Sequence, residues 1–238
     1  MRGKWNIVKL LILLVLTGVL FSFANKRNGT RKLTDIDVQF TDLNSPFITI
    51  SAVNKLLIQN NDSVTSIPKE TLVLNEMESR LLQNPMVRDA QVFVTIDGRL
   101  GAKIEQRNPI ARVATSAHFY IDEDGKKMPL SSVYSARVPL ITGSSGNNFE
   151  ELMPLLHAVR KDVFMNEMVT GLEEQNDGRV LLFLRKQDFK VLFGKPENMA
   201  KKFQNFKAFF QKATKENKLT NYRLVNLEFG NQVVATKK

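Results

Sequence analysis

The sequence predicts an α+β protein with an N-terminal transmembrane helix, a small domain ordered β-α-α-β-β, and a mostly antiparallel β domain with a long helix. Three observations lead there. Leu10 to Phe23 is a run of fourteen residues without a charge. Between Ile36 and Ile104, two segments of helical period stand between one alternating segment and an alternating pair. Beyond Asn108-Pro109, short alternating segments recur, interrupted by a long segment with phenylalanine at helical spacing.

The apolar run comes first. Extended back through Ile7 and Trp5 it approaches the roughly 20 residues that a bilayer core requires. Lys9 is its one charge, near an end where an ammonium can snorkel, and Trp5 sits where interfacial aromatics belong. A cleaved signal peptide is the competing reading, with Ser22-Phe23-Ala24 as a small-x-small site. Either reading exports the chain beyond Asn25. The division along the chain is a cytoplasmic tail over 1–6, a transmembrane helix over 7–24, a linker over 25–34, and domains over 35–107 and 108–238.

In the first domain, Ile36, Val38 and Phe40 alternate with polar residues and predict a half-buried strand. Val53, Leu56 and Leu57 share one helical face, with Thr49 or Ser51 as the cap. A second helix is expected from about Lys69 to Gln83, with Leu74, Met77 and Leu81 on its face, Glu70 in its first turn and Arg80 in its last. Asn84-Pro85 stops it. Ala90, Val92, Val94 and Ile96 then alternate, Asp97-Gly98 predicts a tight turn with positive φ at both positions, and Leu100, Ala102 and Ile104 alternate on the return.

In the second domain, strands are expected at 111–115, 118–122, 136–143, 165–174, 178–185 and 189–194, with a hairpin turn at Asp124-Gly125. A helix over about 148–161 presents Leu152, Leu155, Leu156 and Val159 to the core. The long helix spans about 197–217. Met199, Phe203, Phe206 and Phe210 form its core stripe, and Lys201, Lys202, Lys207, Lys212 and Lys215 its solvated face. Leu224, Leu227, Phe229, Val233 and Val234 read as terminal strands at a sheet edge, with Gly230-Asn231 between or within them.

Charge and chemistry bound the function. The net charge is +10, but residues 1–34 hold seven bases and no acid, flanking the apolar run as in membrane anchors. Residues 35–184 hold 14 bases and 20 acids, and the stretch from Arg185 onward 13 bases and four acids. The basic end reads as a lysine-rich helix face, so no nucleic-acid partner is expected. The chain has no cysteine, which rules out disulfides. Its two histidines, His118 and His157, read as structural residues. Asp122-Glu123-Asp124-Gly125 lacks the later glycine and glutamate of a calcium loop and reads as a turn. No catalytic residue, metal site, cofactor or small-molecule substrate is expected.

Several local patterns occur in a set order: NPMVRDAQVFVTIDGRL, IEQRNPIARV, FYIDEDGKKMPLS, VLFG ahead of the lysine-rich helix, and the terminal LVNLEFGNQVVATKK. Over nearly the whole chain this resembles the FtsQ/DivIB family of bacterial cell-division proteins, with a POTRA domain before a β domain. The chain departs from that family in its very short N-terminal tail and abrupt final strand. The resemblance selects the membrane anchor over the signal peptide. It implies a non-enzymatic divisome scaffold in the inner membrane, N-terminus cytoplasmic and domains periplasmic, at the septum. It further implies FtsB-like and FtsL-like partners and, through them, regulation of septal peptidoglycan synthesis. Strand addition by the FtsB-like partner maps onto Leu227, Phe229, Gly230, Asn231, Gln232, Val233 and Val234. The alternatives are a membrane-anchored cell-wall hydrolase, needing a catalytic pocket, and a POTRA-type envelope assembly or transport factor, needing a membrane barrel.

Overall fold

The structure is a computed structural model that describes residues 2–29, 32–42, 46–58, 72–114, 118–143, 149–230 and 232–238. The chain divides into two compact units, 1–106 and 107–238.

The first unit begins with helix α1, Arg2–Gly29, whose Lys9–Arg27 span is long and apolar enough to cross a membrane. The helix continues to Gly29, so residues 25–29, expected as linker, are helical. Its hydroxyl at Thr17 donates to the carbonyls of Leu13 and Leu14, which leaves no polar hydrogen of that side chain unsatisfied.

Strand β1 (Asp35–Phe40), helices α2 (Ile50–Ile58) and α3 (Leu74–Leu82), and strands β2 (Val87–Val94) and β3 (Arg99–Gln106) come next, in the expected β-α-α-β-β order. The sheet order is β1-β3-β2, with β1 parallel and β2 antiparallel to β3. Val53 and Leu57 of α2, Met77 and Leu81 of α3, and Ala90, Val92, Leu100, Ala102 and Ile104 of the sheet are buried. Thr49 Oγ1 accepts from the Ala52 N–H, 3.1 Å, and so caps α2.

Two details differ from expectation. Helix α3 starts at Leu74 rather than near Lys69, because its first amides, of Glu76 and Met77, return to the Val73 carbonyl. Glu70 lies outside the described residues, and Glu76 occupies the first turn instead. In the hairpin loop only Gly98 takes positive φ (94°), while its N–H donates to the Thr95 carbonyl. Thr95 to Gly98 is therefore an ordinary turn closed by a left-handed glycine, and Ile96 sits on it 91% exposed instead of continuing the buried face.

The second unit opens with β4 (Pro109–Ala114), β5 (His118–Asp122), β6 (Lys127–Met128) and β7 (Leu140–Gly143). Helices α4 (Met153–Lys161) and α5 (Val163–Met168) precede β8 (Val169–Glu174), β9 (Val180–Leu184) and β10 (Lys190–Gly194). Helix α6 (Met199–Lys215) and strands β11 (Tyr222–Asn226) and β12 (Val234–Lys237) complete it. Among the described residues these form one nine-stranded sheet, ordered β12-β11-β10-β9-β8-β7-β4-β5-β6. Five neighbouring pairs are antiparallel; β4–β7, β7–β8 and β10–β11 are parallel.

Met165 to Met168 belongs to α5, not to the strand expected there. Asp162 Oδ1 accepts from the Met165 N–H, 3.1 Å, and this cap commits the segment to a helical turn.

The adjoining residues Gln106 and Arg107 are each held within their own unit. Gln106 Oε1 accepts from the amides of Phe47 (2.8 Å) and Ile48 (3.2 Å). Arg107 Nη1 donates to the buried Asp122 Oδ2 at 2.8 Å, and Asp122 Oδ1 accepts from the amides of Asp124 and Lys126. A buried carboxylate saturated in this way forms a stable hairpin turn, with Gly125 at φ 76°.

Candidate partner-binding edge

The C-terminal end of the second sheet is built outward from α6. Phe203 stacks against Phe193 of β10 with ring centres 5.7 Å apart, and Phe209 meets Tyr222 of β11 edge-on at 5.3 Å. Phe206 is fully buried beside Phe164 and Phe210. The predicted stripe of α6, with Phe209 beside it, thus packs under β10 and β11, each aromatic contact worth about 1 kcal/mol beyond its area.

One lysine of the expected solvated face goes the other way. Lys202 is only 7% exposed. Its ammonium donates to the carbonyls of Phe193 (2.9 Å) and Lys195 (2.8 Å) and lies 4.6 Å from the Phe193 ring centre. Desolvation holds it below the ordinary lysine value, with the charges of Glu197 and Glu228 opposing in part. It fastens the end of β10, a role that spacing alone does not reveal.

Strand β11 runs parallel to β10 and antiparallel to β12, and residues 227–230 and 232–233, between the two strands, lie outside any helix or strand. Glu228 crosses Gly194, where a Cβ would lie 2.6 Å from Glu228 Cγ and where φ is 74°. Only glycine fits both the backbone and the approach there. Asn226 Oδ1 accepts from the Glu228 N–H, and Asn226 Nδ2 donates to its carboxylate, which closes the loop's first turn.

The residues mapped as a partner edge separate here. Leu227 is 2% exposed, its N–H donates to the Leu192 carbonyl, and it belongs to the core. Val233 is half-buried and packs on that core. Phe229 is 47% exposed, Gly230 and Gln232 are exposed, and the Gln232 N–H donates to the Phe229 carbonyl. Asn231 lies outside the described residues. Only Val234, 41% exposed, stands on the edge strand itself.

The ladder continues through Ala235, Thr236 and Lys237, which the side-chain pattern does not single out. The Lys238 N–H donates inward to the Asn221 carbonyl at 2.9 Å. Alternation along the strand then turns the backbone groups of Ala235 and Lys237 outward. Their only forewarning was the final position itself, because an exposed edge needs no apolar side chains.

His118 and His157 are both exposed. No group of three or more His, Asp or Glu side chains suited to a metal occurs among the described residues.

The chain thus combines a helix long and apolar enough to cross a membrane, a unit with a three-stranded sheet, and a long sheet that, among the described residues, ends in a strand paired on one side. Residues 32–105 match the POTRA-like domain model, and residues 108–236 match the model described as FtsQ/DivIB, C-terminal related. The chain belongs to the FtsQ/DivIB family, which is generally one of non-enzymatic cell-division proteins. No curated protein matches the chain. The family's domains point to a cell-division scaffold with divisome proteins as partners, and α1 is a candidate membrane anchor.

Proposed function

We propose that this chain is a non-catalytic divisome scaffold whose β12 edge receives a strand from an FtsB-like protein. That partner brings an FtsL-like protein with it, and the assembly regulates septal peptidoglycan synthesis. In this reading the N-terminus is cytoplasmic, α1 anchors the chain in the inner membrane, and both units lie in the periplasm at the septum. The observation that carries the proposal is that, among the described residues, β12 is the last strand of the nine-stranded sheet and pairs on one side only, with β11. Strand addition there draws its affinity from backbone pairing and its selectivity from the alternate side chains. Phe229, exposed on the loop entering the strand, supplies an aromatic anchor.

The test is a proline at Ala235. Its N–H faces outward, so the ladder to β11 survives while one donor to an incoming strand is lost. Ala235→Pro in the full chain is expected to abolish capture of the FtsB-like partner while lowering stability by no more than about 1 kcal/mol. Full capture by a folded Ala235→Pro protein would place the partner elsewhere.

A further inference from the structure

On the helical side of the second unit, α4 and α6 border a surface groove of about 550 Å³. Ala158 and Ala200 keep it open, since a larger side chain at either would fill it, and Met199 and Phe203 supply apolar walls. Lys161 and Lys207 stand on opposite rims. The two helices together carry seven basic residues and no acidic one. The single acid in the groove, Asp162, is already paired with Lys207 and with the Met165 amide. Lys161 is exposed and has no acidic partner among the described residues.

An apolar-walled cleft whose rims carry net positive charge, Lys161 without an acidic partner among the described residues and Lys207 shared with Asp162, is complementary to a segment that carries apolar side chains along one face and carboxylates beside them. We infer that this groove docks an acidic amphipathic helix of a partner protein, seated on Ala158 and Ala200 and held by Lys161 and Lys207. A flat anionic bilayer would engage the lysines but leave the cleft empty, so the shape selects the peptide. The site lies on helices, not on the β12 ladder, and does not depend on strand addition.

The probe is a fluorescein-labelled amphipathic peptide of about 15 residues, long enough to hold a helix, with leucines along one face and flanking glutamates. A second peptide has serine for leucine at the same charge. Each is titrated against the full chain in phosphatidylcholine nanodiscs. The leucine peptide should bind saturably, weaken as salt rises, and exceed the serine peptide by about tenfold, the return on one buried apolar face. Ala200→Trp fills the cleft and should weaken binding about tenfold; Gln204→Trp, also on the exposed side of α6, serves if the first variant fails to fold. Lys161→Glu should weaken it about fivefold. Ala235→Pro should leave it unchanged. Equal binding of the serine peptide, no binding of either, or unaltered binding by both tryptophan variants would overturn the proposal. So would amine-label protection of Lys161 and Lys207 by phosphatidylglycerol nanodiscs with none from the peptide, because the face would then be a lipid surface.

Discussion

Two edge strands of this chain treat their outward backbone in opposite ways. In the first unit β2 ends its sheet, and the Val92 N–H is taken by Glu78 Oε1 of α3 at 2.8 Å. A carboxylate on an edge amide removes that donor from a foreign strand and places a negative charge where a carbonyl would have to come. In the second unit β12 ends its sheet with Val234, Thr236 and Lys237 exposed, and among the described residues no side chain caps its outward amides. Its opposite end, β6, is two residues long, too short to template pairing. The edge at β12 is therefore more open than those at β2 and β6.

That contrast can be broken from beneath. Phe206 is fully buried in the core cluster that also holds Val191 and Phe193 of β10 and Val225 of β11. Phe206→Ala should cost about 3–5 kcal/mol. Hydrogen exchange should then accelerate through β10–β12 while the amides of β2 and β3 keep their protection.

A smaller change acts on the open edge alone. Phe229 is half-exposed and contributes little to the core, so Phe229→Ala should weaken partner binding by about 2 kcal/mol while stability moves by less than about 1 kcal/mol. Paired titration and thermal melting separate the two. A large loss of stability would make Phe229 a core residue instead.

The closed edge offers the complementary experiment. Glu78→Ala removes a charge-assisted hydrogen bond and should destabilise the first unit by about 1–2 kcal/mol. The Val92 amide should exchange faster, and Glu78→Gln should fall between the two.

The smallest effect is acid dependence at the supporting helices. Burial pushes the Asp162 carboxyl up, but hydrogen bonds from Lys207 and the Met165 amide, with the Lys207 charge, outweigh it and hold it below its usual 3.8. Its contribution is therefore present above 3.8 and lost as pH falls through the folded-state value. Both side chains are partly solvated, so the contribution is at most about 1 kcal/mol. Asp162→Asn should flatten that acid limb in melting curves taken between about pH 5 and about pH 2.

Side-chain periodicity made much of this fold legible. The alternation of Val92 with Ala90, and the spacing of Phe203 and Phe206, placed core faces where the structure has them. Features that depend on backbone partners were not legible. Lys202 is buried because two carbonyls at the end of β10 converge on it, and no spacing of lysines encodes that. Leu227 continues the apolar alternation of Val225 past the end of its strand, so it resembled an edge residue while serving the core. Ala235 and Lys237 hold the outward positions, and a ladder made of main-chain groups leaves almost no mark in side chains. The turn into α5 was readable in principle, since an aspartate directly before Val163 is a helix-start residue.

The place of β12 in the order of synthesis carries a further consequence. It comes after every other strand of its sheet along the chain, and it docks on β11, which needs β10 and α6 already folded beneath it. An edge assembled from residues 234–237 exists only on chains whose preceding strands have been made and have found their neighbours. A truncated or half-folded chain presents no such strand. The unpaired side of β12 is thus also a certificate that the unit behind it is folded.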